Sequence, residues 1–179
     1  MMMERRWILV GGLSVVAGCR PRRDLSQYTV EDAKANLLPE VQLGNPAHAG
    51  QLKSGFHQVE EGAWRWTEPK FVVELKAPFA AQKIGATLVV KGAAPDILLM
   101  KTGPITLSAK LNGTELGKAT YPKAGPVELR LDVPAQLMRA ETLLVEVNST
   151  PGLPPGSFPG DGRSLGLIVS SVGFERKAL

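Results

Sequence analysis

The sequence predicts a mainly β protein, an antiparallel sandwich of about eight strands preceded by a short helix. Three observations predict it. Apolar and polar residues alternate with period two in several segments, which puts one set on a buried face and the other in water. An Asn-Gly pair sits between two such segments, where a two-residue hairpin turn needs residues that tolerate positive φ. The 179 residues include 19 glycines and 14 prolines, a turn-rich composition that disfavours a helical bundle. At 44% hydrophobic the chain can bury a real core, which excludes wholesale disorder.

The elements follow in chain order. Thr29-Val30-Glu31-Asp32 places an N-cap before two acids in a first turn, where the helix dipole favours negative charge. This predicts a helix over Val30–Leu38, ended before Pro39. Gly44-Asn45-Pro46 marks a turn, and from Gly55 onward the pattern is β. Phe71–Leu75 and Ala86–Val90 read as strands. Ile105, Leu107, Ala109 and Leu111 alternate with polar residues. With Asn112-Gly113 they predict a hairpin over Ile105–Lys118 that sets Lys110 opposite Glu115. Val127–Val133 and Leu143–Asn148 alternate in the same way, and a turn is expected near Ala135–Arg139. Leu165, Leu167 and Val169 are in phase, whereas Val172 and Phe174 are one residue out. A β-bulge near Ser170-Ser171 would restore the phase.

The first nineteen residues carry a separate signal. Arg5 and Arg6 precede the uncharged stretch Trp7–Ala17. Eleven residues are too few to span a bilayer, which needs roughly 20, and suit the apolar region of a secretion signal. The stretch ends Val16-Ala17-Gly18-Cys19, which resembles the bacterial lipobox. The resemblance implies cleavage between Gly18 and Cys19 and a diacylglyceryl thioether, with added acyl groups such as palmitate, on Cys19. The alternatives are an ordinary signal peptide or a short anchor beside an incidental Cys. Cys19 is the only cysteine, so a chain that spends it on lipid has no disulfide and must be held by packing alone. Arg20, Arg22 and Arg23 follow and could favour an anionic leaflet. Arg20 stands where an Asp would retain enterobacterial lipoproteins in the inner membrane. The same resemblance therefore implies the periplasmic face of the outer membrane. The expected organisation is a signal peptide over 1–18, a lipidated tether over 19–28, a short helix and connector over 29–54, and the sandwich over 55–179.

Gly55-Phe56, Glu60 and Arg65-Trp66, with Asp161, Arg163 and Leu165-Gly166 near the other end, resemble the motifs of a β-sandwich domain of bacterial envelope proteins. That domain also forms the C-terminal part of some membrane glycosyltransferases. The resemblance covers residues 55–176 and implies a jelly-roll, galactose-binding-like fold. It also implies that Glu60, Arg65, Asp161 and Arg163 form a polar cluster tying the first strand to the last loop.

Chemistry is sparsely signalled. The formal charge of +4 is modest, and no Lys/Arg block interleaves with aromatics, so no nucleic-acid partner is expected. His48 and His57 are the only histidines. His57 with Glu60 matches no zinc spacing, so no metal or other cofactor is expected. There is no Gly-x-Ser-x-Gly elbow, and nothing marks Glu60, Glu61, Glu68 or Asp161 as a paired glycosidase set. An enzyme is not expected, and a hydrolase is the weakest reading. Trp64 and Trp66 lie two apart and would share one face of a strand, either as a sugar platform or as core. Residues 149–162 hold eight glycines or prolines around a single aromatic, Phe158. Loops of this length are usually functional or disordered. Trp64, Phe158 and Tyr121 are the candidate ligand contacts. The expected function is a lipid-anchored, non-catalytic envelope protein that binds glycan or envelope polymer. The alternative is an assembly lipoprotein that docks a protein partner.

Overall fold

A computed structural model describes residues 37–140 and 142–177. Nine strands, all paired antiparallel, make up the body: β1 (Glu40–Gln42), β2 (Leu52–Glu60), β3 (Trp64–Leu75), β4 (Ala86–Ala94), β5 (Ile105–Leu111), β6 (Thr114–Tyr121), β7 (Gly125–Val133), β8 (Leu143–Thr150) and β9 (Ile168–Arg176). The expected mainly β antiparallel sandwich is the observed architecture. Seven of these strands lie between Trp64 and Arg176, where about eight were expected, and two more precede them.

The sandwich is made by β3. Its C-terminal half, Lys70–Leu75, pairs with β8, while Arg65 and Trp66 pair with β9. The strand therefore passes from one layer to the other. One layer runs β6-β5-β8-β3 and the other runs β9-β4-β7, with β1 on β9 and β2 along β3. The switch is fixed by Thr67, which is fully buried. Its backbone N–H and its hydroxyl both donate to the Leu167 carbonyl, and its own carbonyl accepts from Gly166. Alternation then does what period two requires: Ile105, Leu107, Ala109 and Leu111 from one layer meet Leu88, Val90, Val172 and Phe174 from the other in a single core. Phe71 is the largest fully buried side chain and stacks at a tilt against Phe56, with ring centroids 5.2 Å apart.

Asn112 and Gly113 both take positive φ, 47° and 84°, and Lys110 pairs with Glu115. On β9, Ser171 pairs with Lys91 and Val169 with Gly92, leaving Ser170 as the extra residue of a bulge. The bulge lets residues on both sides of the phase break face the core. The turn over Ala135–Arg139 is a 3₁₀ turn.

Helix is less confined than expected. The helix expected over Val30–Leu38 lies outside the described residues except for Leu37 and Leu38, which are not helical. Two short helices stand elsewhere, α1 (Ala81–Ile84) and α2 (Asp96–Thr102). The second carries Asp96 in its first turn, Lys101 in its last and Gly103 just beyond at φ 76°. These are proper stop and start signals, but over seven residues they give too little apolar periodicity to register. A 3₁₀ turn over Pro46–Gln51, capped by the Asn45 side chain, leads into β2.

Among the described residues packing leaves one blemish. Ser149 faces the core beside Leu107 and is 2% exposed, and its hydroxyl has no hydrogen-bond partner. A buried hydroxyl without a partner costs about 1–3 kcal/mol. Ser149→Ala is expected to stabilise the fold by about 1 kcal/mol, read as a raised denaturation midpoint with unchanged slope.

Candidate functional site

The two ends of the sandwich differ. At one end lie the β2–β3 turn, the β6–β7 turn, α2 and the long loop from Pro151 to Leu167. The β2–β3 turn needs positive φ at Glu61 (52°) and Gly62 (66°), and so delivers Glu60 and Trp64 side by side. The long loop is pinned rather than loose. Leu153 and Leu165 exchange backbone hydrogen bonds, and Phe158 and Asp161 form a second bridge. Two glycines seat it on β3: a Cβ on Gly152 would come within 2.4 Å of the Pro69 ring, and one on Gly166 within 2.5 Å of the Glu68 carbonyl.

Arg163 organises this loop. Its Nε and Nη2 fork onto the Asp161 carboxylate at 2.9–3.1 Å, and its backbone N–H donates to the same group at 2.9 Å. Its Nη1 donates to Glu60 Oε1 at 3.0 Å, joining the end of β2 to a residue 103 positions away. A fork onto a carboxylate is the strong, directional form of such a pair. The hydrogen bonds from Arg163 hold the Asp161 carboxyl below the usual carboxylate range, and Asp161 first, then Glu60, drives the Arg163 guanidinium upward. The side chains remain partly open to water, with Arg163 37% and Glu60 35% exposed.

Arg65, expected in the same cluster, does not reach these carboxylates. Its Nε donates to the Leu43 carbonyl and its Nη1 to the His57 carbonyl, at 2.8 and 2.9 Å. Backbone carbonyls of β2 and of the segment after β1 take up its charge instead. The His57 ring bonds the Ser164 carbonyl at 2.8 Å, and His48 Nδ1 accepts from the Gln42 backbone N–H. Both rings have backbone partners. Among the described residues no three His, Cys, Asp or Glu side chains gather around a point that could hold a metal ion.

Beside the Arg163 network opens a shallow hollow of ≈ 300 Å³ lined by Trp66, Phe158, Pro159, Asp161, Arg163 and Leu165. Trp66 is 9% exposed and belongs to the core, so it forms the floor. Phe158 is half-buried and packs on the core while forming one wall. The candidate aromatics therefore do not make one platform. Trp64 is half-buried against the core and lies outside the hollow's lining. Tyr121 sits at the end of β6, its hydroxyl donating to the Glu128 carbonyl at 2.8 Å, and burial, then Glu128, raises its pKa. Leu165, read as part of the last turn, and Trp66, left by sequence between platform and core, complete the hollow. No sequence periodicity signals this, because the loop brings them to one surface.

Removing Arg163 tests what the network does for the fold. Exposed ion pairs contribute little and well-forked ones more. Arg163→Ala is expected to lower the melting temperature by a few degrees. Asp161 has its pKa lowered on folding, so its contribution is present above the unfolded value near 4 and is lost as pH falls through the folded one. The gap in melting temperature between wild type and variant should close below about pH 4.

No protein-family model matches the sequence, and no curated protein matches it. Among solved structures, the CBM36-1 domain of a multidomain xylanase from the hindgut metagenome of Trinervitermes trinervoides is similar over 78% of this chain and 98% of its own, at 12% identity with a TM-score of 0.43. A CBM4 structure is similar over 80% of this chain and 91% of its own, at 13% identity with a TM-score of 0.35. Both likenesses are remote.

Proposed function

We propose that this protein is a lipid-anchored, non-catalytic component of a bacterial envelope whose sandwich binds a saccharide of the envelope in the hollow beside Phe158. One observation carries the reading. An aromatic wall and a nearly buried indole floor stand next to a carboxylate and a guanidinium already locked in place. Sugars present C–H faces that pack on aromatic rings and hydroxyls that seek charged, fixed partners. A hollow of ≈ 300 Å³ has the scale of small-molecule pockets, at their lower limit. Preorganisation matters here because ordering side chains on binding costs about 0.5–1.5 kcal/mol each. The loop is already pinned by two bridges and by Arg163, so that cost is low.

The non-catalytic part of the reading is supported by how the ionisable groups are spent. Asp161 and Glu60 share one guanidinium, so neither is poised as a free acid or base. The anchor is supported by the Val16–Cys19 box, and the outer-membrane face by Arg20 after it.

The test is binding of the mature chain to arrayed bacterial polysaccharides and to isolated peptidoglycan. Retention of at least one polymer class, lost in Phe158→Ala and kept in Trp64→Phe, is the expected result. No retention on any polymer, with a single protein captured by crosslinking in cells, would replace this reading with a protein-docking lipoprotein.

A further inference from the structure

The end of the sandwich opposite the hollow is also unusual. Leu75, Ala86, Val133, Leu143 and Arg176 mark it by their mutual pairing. There the chain runs Lys76-Ala77-Pro78-Phe79-Ala80-Ala81 between β3 and α1. Pro78 and Ala81 are buried, and the Ala81 N–H donates to the Pro78 carbonyl. Ala80 holds a left-handed conformation at φ 65°. Strain of this kind persists only where the surroundings impose it. The result is a pinned bend with Phe79 at its apex, 80% exposed. Single exposed apolar side chains are common, but here a pinned bend fixes the ring at its apex.

Two further observations indicate a partner. The first described residues join the sandwich at this same end: the Leu38 carbonyl accepts from the Lys76 N–H at 3.0 Å, and the Leu38 side chain is 39% exposed. The segment leading from Cys19 therefore reaches the domain three residues from Phe79. The surroundings are also basic. Lys76, Lys83, Arg139 and Arg176 are exposed, and α1 packs against the 3₁₀ turn that carries Arg139. The nearby acids Glu74, Asp132 and Glu175 are bridged to Lys53, Lys177 and Arg130, while Glu115 is exposed near the β5–β6 turn.

We infer that this end rests on the anionic bilayer to which the chain is anchored, with Phe79 set among the headgroups and the basic side chains around it facing lipid phosphates. An aromatic ring suits the membrane interface, and each nearby Lys or Arg adds about 1 kcal/mol of attraction to an anionic leaflet, roughly a five-fold gain in partitioning. The nine residues of β4, at about 3.3 Å each, hold the Phe158 hollow away from the lipid and toward soluble polymer. The inference rests on the anchored reading above and goes beyond it by fixing which face meets the membrane.

The single cysteine permits a direct test. The mature chain is coupled through Cys19 to a maleimide lipid in vesicles of phosphatidylglycerol and phosphatidylcholine with brominated acyl chains, which quench indole on contact. Wild type carries only Trp64 and Trp66 after residue 18, both at the hollow end, and should show no quenching. Phe79→Trp should be quenched, and adding Lys76→Gln and Lys83→Gln or raising the salt should reduce that quenching severalfold. No quenching of the Phe79→Trp chain, or quenching of wild type, would overturn the orientation. Acylation of Cys19 in cells is read separately by mass and does not enter this result.

Discussion

Gly55→Ala should destabilise the protein strongly, with a loss of about 3 kcal/mol and a fall of roughly 10 °C in melting temperature, measured by thermal and urea unfolding. Two penalties coincide there. Gly55 takes φ 78°, a region that costs a side chain energy, and a Cβ would sit 2.2 Å from the Lys70 carbonyl and 2.7 Å from the Phe71 Cα. Neither contact is with a flexible group, so β2 would have to part from β3 just where Phe56 covers Phe71. Control glycines separate the terms. Gly62 has φ 66° with open space around it, so Gly62→Ala should cost only about 1 kcal/mol. Gly166 meets the Glu68 carbonyl within 2.5 Å without a positive φ, so Gly166→Ala should fall between the two. Equal effects of Gly55→Ala and Gly62→Ala would show that the close approach does not matter.

Cys19→Ala should abolish lipidation outright and leave the uncut precursor to accumulate, seen as a larger product that no longer incorporates labelled palmitate. The thiol is the only group at that position that can form the thioether, and it is the chain's only cysteine. Two or more acyl chains anchor stably where one is marginal, so on the lipobox reading loss of the thiol removes the whole lipid attachment. Cleavage before residue 19 with retained acylation in this variant would refute the lipobox reading.

Much of the sandwich is written in local pattern. The Asn112-Gly113 hairpin and its Lys110–Glu115 register need only residues a few positions apart, and a phase break between Val169 and Val172 is enough to place the bulge at Ser170. Elements without such a pattern stay hidden. β1 has a single apolar residue, Val41, between Glu40 and Gln42. Along β2 the register shifts three times, so no clean alternation survives in its sequence. The site is legible only in part. Glu60, Asp161 and Arg163 can be picked out as charged residues that the resemblance singles out, but Arg65, picked with them, turns to backbone carbonyls, because the strand sends its side chain away from the loop. The hollow itself needs Trp66 and Leu165, two core residues, to meet Phe158 through a loop whose path is set by Gly152 and Gly166 against β3. Close backbone approach of that kind leaves no periodicity to read.

On the proposed function, a saccharide occupies the hollow floored by Trp66 and walled by Phe158. Titrating the mature chain with fragments of the polysaccharide it retains, while following indole emission, addresses it most directly. The expected result is a saturable shift in emission as the floor loses its remaining contact with water, unchanged in Trp64→Phe and at least ten-fold weaker in affinity in Phe158→Ala, whose melting temperature should fall by no more than a few degrees. Saturable binding that leaves the Trp66 emission unmoved and is indifferent to Phe158→Ala would place the saccharide elsewhere on the protein.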